Sequence, residues 1–128
     1  MSDTHNITIA PSQSTPSVAS NWELGSLCMQ GDSYPENSFE FFGPIIDWIE
    51  LFLQKSSALL RLEIRLVYMN TSSVKAMMDI FDLLEDAHQH GRQVCVDWYY
   101  DPRNERVVSL ADEFREDCTF PFQIAADD

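Results

Sequence analysis

Three consecutive hydroxyl side chains, Thr71, Ser72 and Ser73, follow Asn70 near the middle of the chain. A side-chain hydroxyl is a phosphoryl acceptor, and its surroundings decide whether the modified form is tolerated. A phosphate adds about −1.5 to −2 charges and three strong acceptor oxygens. Such a group is favoured at a helix N-terminus, where unpaired backbone N–H groups and the positive end of the helix dipole converge. Capping explains part of this turn, since an Asn, Ser or Thr at the N-cap accepts a bond from an N2 or N3 amide and contributes ~1 kcal/mol. One residue suffices for that, and three hydroxyls after an Asn exceed the need. The Asn70–Ser73 turn is therefore the candidate functional site, with Thr71 and Ser72 both open as the modified residue.

The flanking sequence supplies the helix that such a site requires. Leu60, Leu62, Ile64, Leu66 and Tyr68 alternate with Arg61, Glu63 and Arg65, a period of two that predicts a strand with one apolar face. Beyond the turn, Val74, Met77, Met78, Phe81 and Leu84 recur at helical spacing, and His88-Gln89-His90-Gly91 predicts the stop, with Gly91 as a left-handed cap. A second strand, Gln93 to Tyr100, presents Val94, Val96, Trp98 and Tyr100 on one face.

Other chemistry is sparse. Only four glycines are present, well apart, so no phosphate-cradling loop exists. His88 and His90 lack metal-ligand spacing, and a Cys-His nucleophile built on Cys95 or Cys118 is less favoured than structural thiols. The carboxylate pairs Glu85-Asp86 and Glu116-Asp117 read as solvated helix faces. Trp98, Tyr99 and Tyr100, with Arg103 and Arg106 nearby, offer a second reading: a small α/β ligand-binding domain or enzyme with a pocket near Trp98, Tyr100 and Arg103. Packing is the commoner fate of such a set. Neither catalysis nor a cofactor is expected.

At 128 residues the chain suits one domain. No apolar run approaches the roughly 20 residues that span a bilayer, and the first residues lack the basic start and apolar core of a secretory signal. Cys28, Cys95 and Cys118, an odd and widely spaced set, suit a reducing compartment, and a cytoplasmic location is expected. The net charge of −13 repels phosphate backbones and anionic headgroups, so nucleic acid and membrane insertion are disfavoured, while basic patches on other proteins are attracted.

Residues 1–20 are polar, with at most a short Ile7–Ile9 strand, and read as a partly ordered N-terminal segment preceding a domain over 21–128. Trp22–Gln30 predicts a strand with Trp22, Leu24, Leu27 and Met29 inward, the second of an early hairpin. The turn-rich run 31–38 offers two capping boxes, Ser33 with Glu36 and Asn37 with Glu40. Phe39, Phe42, Ile45, Ile46, Ile49, Phe52 and Leu53 then form a helical stripe, with Pro44 either starting or kinking the helix. A third helix carries Val107, Val108, Leu110, Ala111 and Phe114, and Phe120–Ile124 predicts an edge strand. Alternating strands and helices give an α/β domain: a mixed sheet packed with about three helices on one or both faces.

The segments GDSYPENS at 31–38, YMNTSSVKAMMDIFDLLEDAHQHGR at 68–92, DPRNERV and EFREDC together resemble the SiaC family of bacterial regulatory phosphoproteins. The resemblance runs from about Trp22 to Ile124. That family is similar in layout and role to anti-sigma-factor antagonists of the STAS type, whose phosphorylated Ser or Thr lies at a strand-to-helix junction. The resemblance implies a STAS-like domain and a partner-switching role. It implies an anti-sigma-factor-like kinase, a PP2C-type phosphatase, and an unphosphorylated form that activates a diguanylate cyclase, raising cyclic di-GMP and promoting aggregation or biofilm. The family's phosphothreonine carries over to Thr71. Asn70 and Ser73 stand where STAS antagonists carry Asp and Gly, which keeps Ser72 as second candidate. The expected partner surface comprises Tyr68, Asn70, Thr71, Ser72 and Ser73, with Ser33, Tyr34, Glu36 and Asn37 beside them.

Overall fold

The computed structural model describes residues 6–127; residues 1–5 of the N-terminal segment and Asp128 at the end of the expected domain lie outside it. The described elements run β1 (Thr8–Ile9), β2 (Ser17–Asn21), β3 (Ser26–Ser33), α1 (Ser38–Lys55), β4 (Leu60–Met69), α2 (Thr71–Gln89), β5 (Val94–Tyr100), α3 (Glu105–Glu116) and β6 (Phe122–Ala126). The six strands form one mixed sheet in chain order. β1–β2 and β2–β3 pair antiparallel, and β3–β4, β4–β5 and β5–β6 pair parallel. Each parallel step moves one strand further in the same direction. Crossovers of one hand therefore stack all three helices on one face of the sheet.

Burial follows that layering. Leu27, Met29, Leu60, Leu62, Ile64, Leu66, Val94, Val96 and Trp98 are sealed on the helix side. The opposite face carries Arg61 paired with Asp97 at 3.3 Å, and Arg65 paired with Asp127 at 3.1 Å. The Arg65 guanidinium also lies 4.4 Å over the Tyr99 ring. Of the alternatives left by the sequence, coverage on one face is the one realised. Val67 is accordingly exposed and Cys95 half-buried.

Several expectations are corrected. The N-terminal segment contains a second strand, β2, that spans the expected boundary at residue 20 and buries Val18. Ile7 N–H donates to Ser20 Oγ at 2.7 Å, tying the segment to the sheet. β3 starts at Ser26 rather than Trp22, because residues 22–25 form the turn of the β2–β3 hairpin. Leu24 therefore points to solvent. Gly25 is required in that turn: its φ is +66°, and a Cβ would lie 2.3 Å from the Leu59 carbonyl oxygen. α1 starts at the second capping box, with Asn37 Oδ1 accepting from Glu40 N–H at 3.0 Å, and Pro44 lies inside the helix. Gly43 precedes it, which removes the Cβ that clashes with a proline ring in helical backbone. Trp48, absent from the expected stripe, is buried, whereas Phe39 and Met78 are exposed. Gly91, with φ +92°, follows α2 as expected.

The strand leading to the candidate site carries one irregularity that the alternation did not reveal. Gly31 pairs with Leu66, but the next pair is Asp32 with Tyr68. One step on β3 matches two on β4, so Val67 is an extra, bulged residue. The bulge inverts the alternation behind it. Tyr68, expected inward with Leu66, turns outward and is 54% exposed, while Met69 turns inward.

Candidate functional site

Parallel strands deliver their C-terminal ends, and the helix starts that follow them, to one edge of the sheet. Each helix here is capped by an asparagine. Asn37 Oδ1 accepts from Glu40 N–H at 3.0 Å, Asn70 Oδ1 from Ser73 N–H at 2.9 Å, and Asn104 Oδ1 from Val107 N–H at 3.4 Å. Asn104 also donates through Nδ2 to the carbonyl of the bulged Val67 at 3.0 Å, which holds the end of β4 against α3.

Asn70 organises the central turn. Its backbone N–H donates to the Ser33 carbonyl at 3.0 Å, and its Nδ2 to the Pro35 carbonyl at 3.4 Å. The segment 33–37 is thus fastened directly against the turn. Tyr34 and Tyr68 meet edge to face, ring centroids 5.7 Å apart, and both are exposed beside it. Glu36 lies at the surface of the same segment, and Asn37 serves as the α1 cap.

The three hydroxyls fall into three environments. Ser73 is 0% exposed, and its Oγ lies 2.9 Å from Ser33 Oγ. Ser72 Oγ lies 2.6 Å from Ser38 Oγ and donates to Asn70 Oδ1 at 3.2 Å. Thr71, first residue of α2, is exposed, and its hydroxyl bonds to none of the described residues. Its position puts it where free helix N–H groups and the dipole favour an anion. Ser38, the buried partner of Ser72, escaped sequence reasoning; its only signal was its place directly after the Asn37 cap.

The alternative pocket is not assembled. Trp98 is buried in an aromatic stack with Phe114 and Phe122, centroids 5.8 and 6.5 Å away. Arg103 sits at the surface, its guanidinium bound to Asp101 at 3.0 and 2.8 Å. Those hydrogen bonds hold the Asp101 carboxyl down at about 2. Burial pushes the Cys118 thiol up to about 11, with Glu85, Asp117 and Asp82 adding to the effect, and also raises Cys28 and Cys95. None of these thiols is primed as a nucleophile. Among the described residues, no three His, Cys, Asp or Glu side chains converge to hold a metal ion, and no helix is long and apolar enough to cross a membrane.

The model of the SiaC family of regulatory phosphoproteins matches residues 9–127. The chain belongs to the SiaC family. A protein of Pseudomonas aeruginosa strain UCBPP-PA14, described as uncharacterized, is 61% identical over 128 residues, covering 100% of this chain and 99% of that one. The solved structure of SiaC from Pseudomonas aeruginosa is similar with a TM-score of 0.91 at 57% identity, covering 95% of this chain and 98% of that one. A crystal structure of the diguanylate cyclase SiaD in complex with its activator SiaC, from the same organism, contains a chain matching with a TM-score of 0.92 at 60% identity. The match covers 94% of this chain and 99% of that one. The expected α/β architecture is therefore that of solved SiaC structures.

Proposed function

We propose that this SiaC-family chain is a non-catalytic partner-switching regulator acting in the cytoplasm, whose unphosphorylated form binds and activates a diguanylate cyclase. In this reading an anti-sigma-factor-like kinase transfers the γ-phosphoryl group of ATP to Thr71 Oγ1, releasing ADP and the hydroxyl proton, and a PP2C-type phosphatase hydrolyses the ester with water to the free hydroxyl and inorganic phosphate. Cyclic di-GMP output, and with it aggregation or biofilm, follows the unphosphorylated fraction.

The observation that carries the choice of residue is the contrast among the hydroxyls. Ser73 is sealed, Ser72 is engaged with Ser38 and Asn70, and Thr71 is exposed with its hydroxyl uncommitted. The relative that is an activator of a diguanylate cyclase supports the choice of partner. Charge supplies the switch. At the start of α2 the dipole favours the phosphate by about 0.3–1 kcal/mol, so the fold persists. Against a partner packed over Thr71 the same group is bulky and must be desolvated, so the complex is lost.

Intact mass and peptide mapping after incubation with kinase and ATP test this reading. The wild-type protein is expected to gain one phosphate, on Thr71. Thr71→Ala is expected to gain none, yet to bind the cyclase and remain bound when kinase and ATP are added. Phosphate taken up by Thr71→Ala overturns the assignment in favour of Ser72.

A further inference from the structure

The first turn of α2 departs from the other two helix starts. α1 carries Glu40 in its first turn and α3 carries Glu105, each a carboxylate where the helix dipole favours an anion. α2 carries no acidic residue there, although the chain bears a net charge of −13. In its place stand the hydroxyls and, one turn on, Lys75, the one lysine or arginine of the helix. A cation this close to a helix N-terminus sits at the unfavourable end of the dipole. The arrangement becomes favourable once an anion is added to the turn.

Spacing identifies the hydroxyl that Lys75 serves. Thr71 and Lys75 stand four residues apart on α2, so their Cβ atoms lie roughly 5–6 Å from each other on one helix face. An anion four residues N-terminal to a lysine is the better orientation of such a pair. In the unmodified protein Lys75 has the reverse contact: it precedes Asp79, with Nζ 3.8 Å from the carboxylate and both side chains exposed. A phosphate on Thr71 offers about two charges in the better orientation against one in the worse, so the lysine exchanges partners. The other charged groups around the turn do not substitute for it. Asp32, Glu36 and Glu40, on the strand end, segment and helix fastened beside the turn, are carboxylates, and Glu105 and Arg106 open α3 with opposite signs.

We infer that Lys75 is the phosphate clamp of the switch: when Thr71 is phosphorylated it leaves Asp79 and pairs with the phosphoryl oxygens, holding the group as a dianion over the first turn of α2. The inference rests on Thr71 being the modified residue, as proposed above, and adds the contact that defines the modified state. A phosphate monoester loses its second proton near pH 6, so in water part of the population still carries a single charge close to neutrality. A paired ammonium favours the dianion, and the modification then delivers its full charge.

Phosphorus NMR titration of protein carrying phosphothreonine at position 71, incorporated during translation, tests the clamp without calling on the kinase. The set comprises wild type, Lys75→Gln, Lys75→Arg and, as a control for net charge, Lys55→Gln at the far end of α1. Both lysines are exposed, and all four proteins are expected to melt alike. The second pKa of the phosphate is expected to rise by at least about half a unit in Lys75→Gln, roughly a threefold change in proton affinity. Lys75→Arg and Lys55→Gln are expected to stay close to wild type, and added salt to narrow the difference made by Lys75→Gln. Equal values for wild type and Lys75→Gln overturn the clamp. An equal rise in Lys55→Gln assigns the effect to net charge and overturns it as well. Failure of the kinase to modify Thr71, read separately by intact mass, removes the switching reading on which the inference rests.

Discussion

At the residue scale the site is a division of labour among similar groups. Asn70 spends both ends of its amide, accepting from Ser73 N–H and Ser72 Oγ while donating to the Pro35 carbonyl. Ser73 and Ser33 satisfy each other in a spot that no water reaches. Removing one partner strands the other. Ser73→Ala is expected to cost about 1–3 kcal/mol in denaturant unfolding, because the Ser33 hydroxyl stays buried and unpaired. Ser33→Ala/Ser73→Ala together is expected to cost less than the two single changes summed. Additive losses would mean that the two hydroxyls act independently. Thr71, whose hydroxyl bonds to none of the described residues, is the residue of the turn that the proposed modification would alter at least structural expense.

At the element scale, much of this arrangement was legible in the sequence. Leu60 to Leu66 alternate, Val74 to Leu84 recur at helical spacing, and Asn70 marks the junction, so the strand–turn–helix unit follows from periodicity and capping alone. The bulge at Val67 was not legible, because an extra β-branched residue continues an apolar run without breaking its composition. That single insertion turned Tyr68 outward, where it meets Tyr34. β2 was hidden for a different reason: Ser17-Val18-Ala19-Ser20-Asn21 offers one large apolar side chain and no run of alternation, and its strand character comes from pairing with β3. Phe39 is in register with the α1 apolar stripe, yet it stands at the rim of a groove between α1 and α2 and is exposed.

The far end of α2 carries its own testable contact. The Glu85 carboxylate accepts from Thr119 Oγ1 at 2.6 Å and from Thr119 N–H at 2.7 Å, joining α2 to the chain before β6. These bonds, with a further one from Gln89, lower its pKa from 4.5 to about 2. A folded-state pKa below the unfolded value means stability present above about pH 4.5 and lost as pH falls towards 2. The melting temperature of wild type is therefore expected to exceed that of Glu85→Gln most clearly above pH 4.5, with the gap closing towards pH 2. A gap that stays constant over that range would contradict the contact.

At the scale of the whole molecule, the sheet has helices on one face only, and its strand ends bring three helix N-termini to one edge. The result is one edge on which the hydroxyl turn and the Tyr34–Tyr68 pair lie side by side, next to a groove between α1 and α2. A charge of −13 keeps the protein dispersed and biased towards basic partners. In the proposed switch, fold and regulation would be separable: a phosphate on Thr71 would sit on a helix start that accommodates it, and its effect would appear only when another protein must cover that spot. The affinity of purified, stoichiometrically Thr71-phosphorylated protein for the diguanylate cyclase, set beside that of the unmodified protein, measures this most directly. Weakening by at least about tenfold, or ~1.4 kcal/mol, with an unchanged melting profile is the predicted result. Equal affinity of the two forms would contradict it.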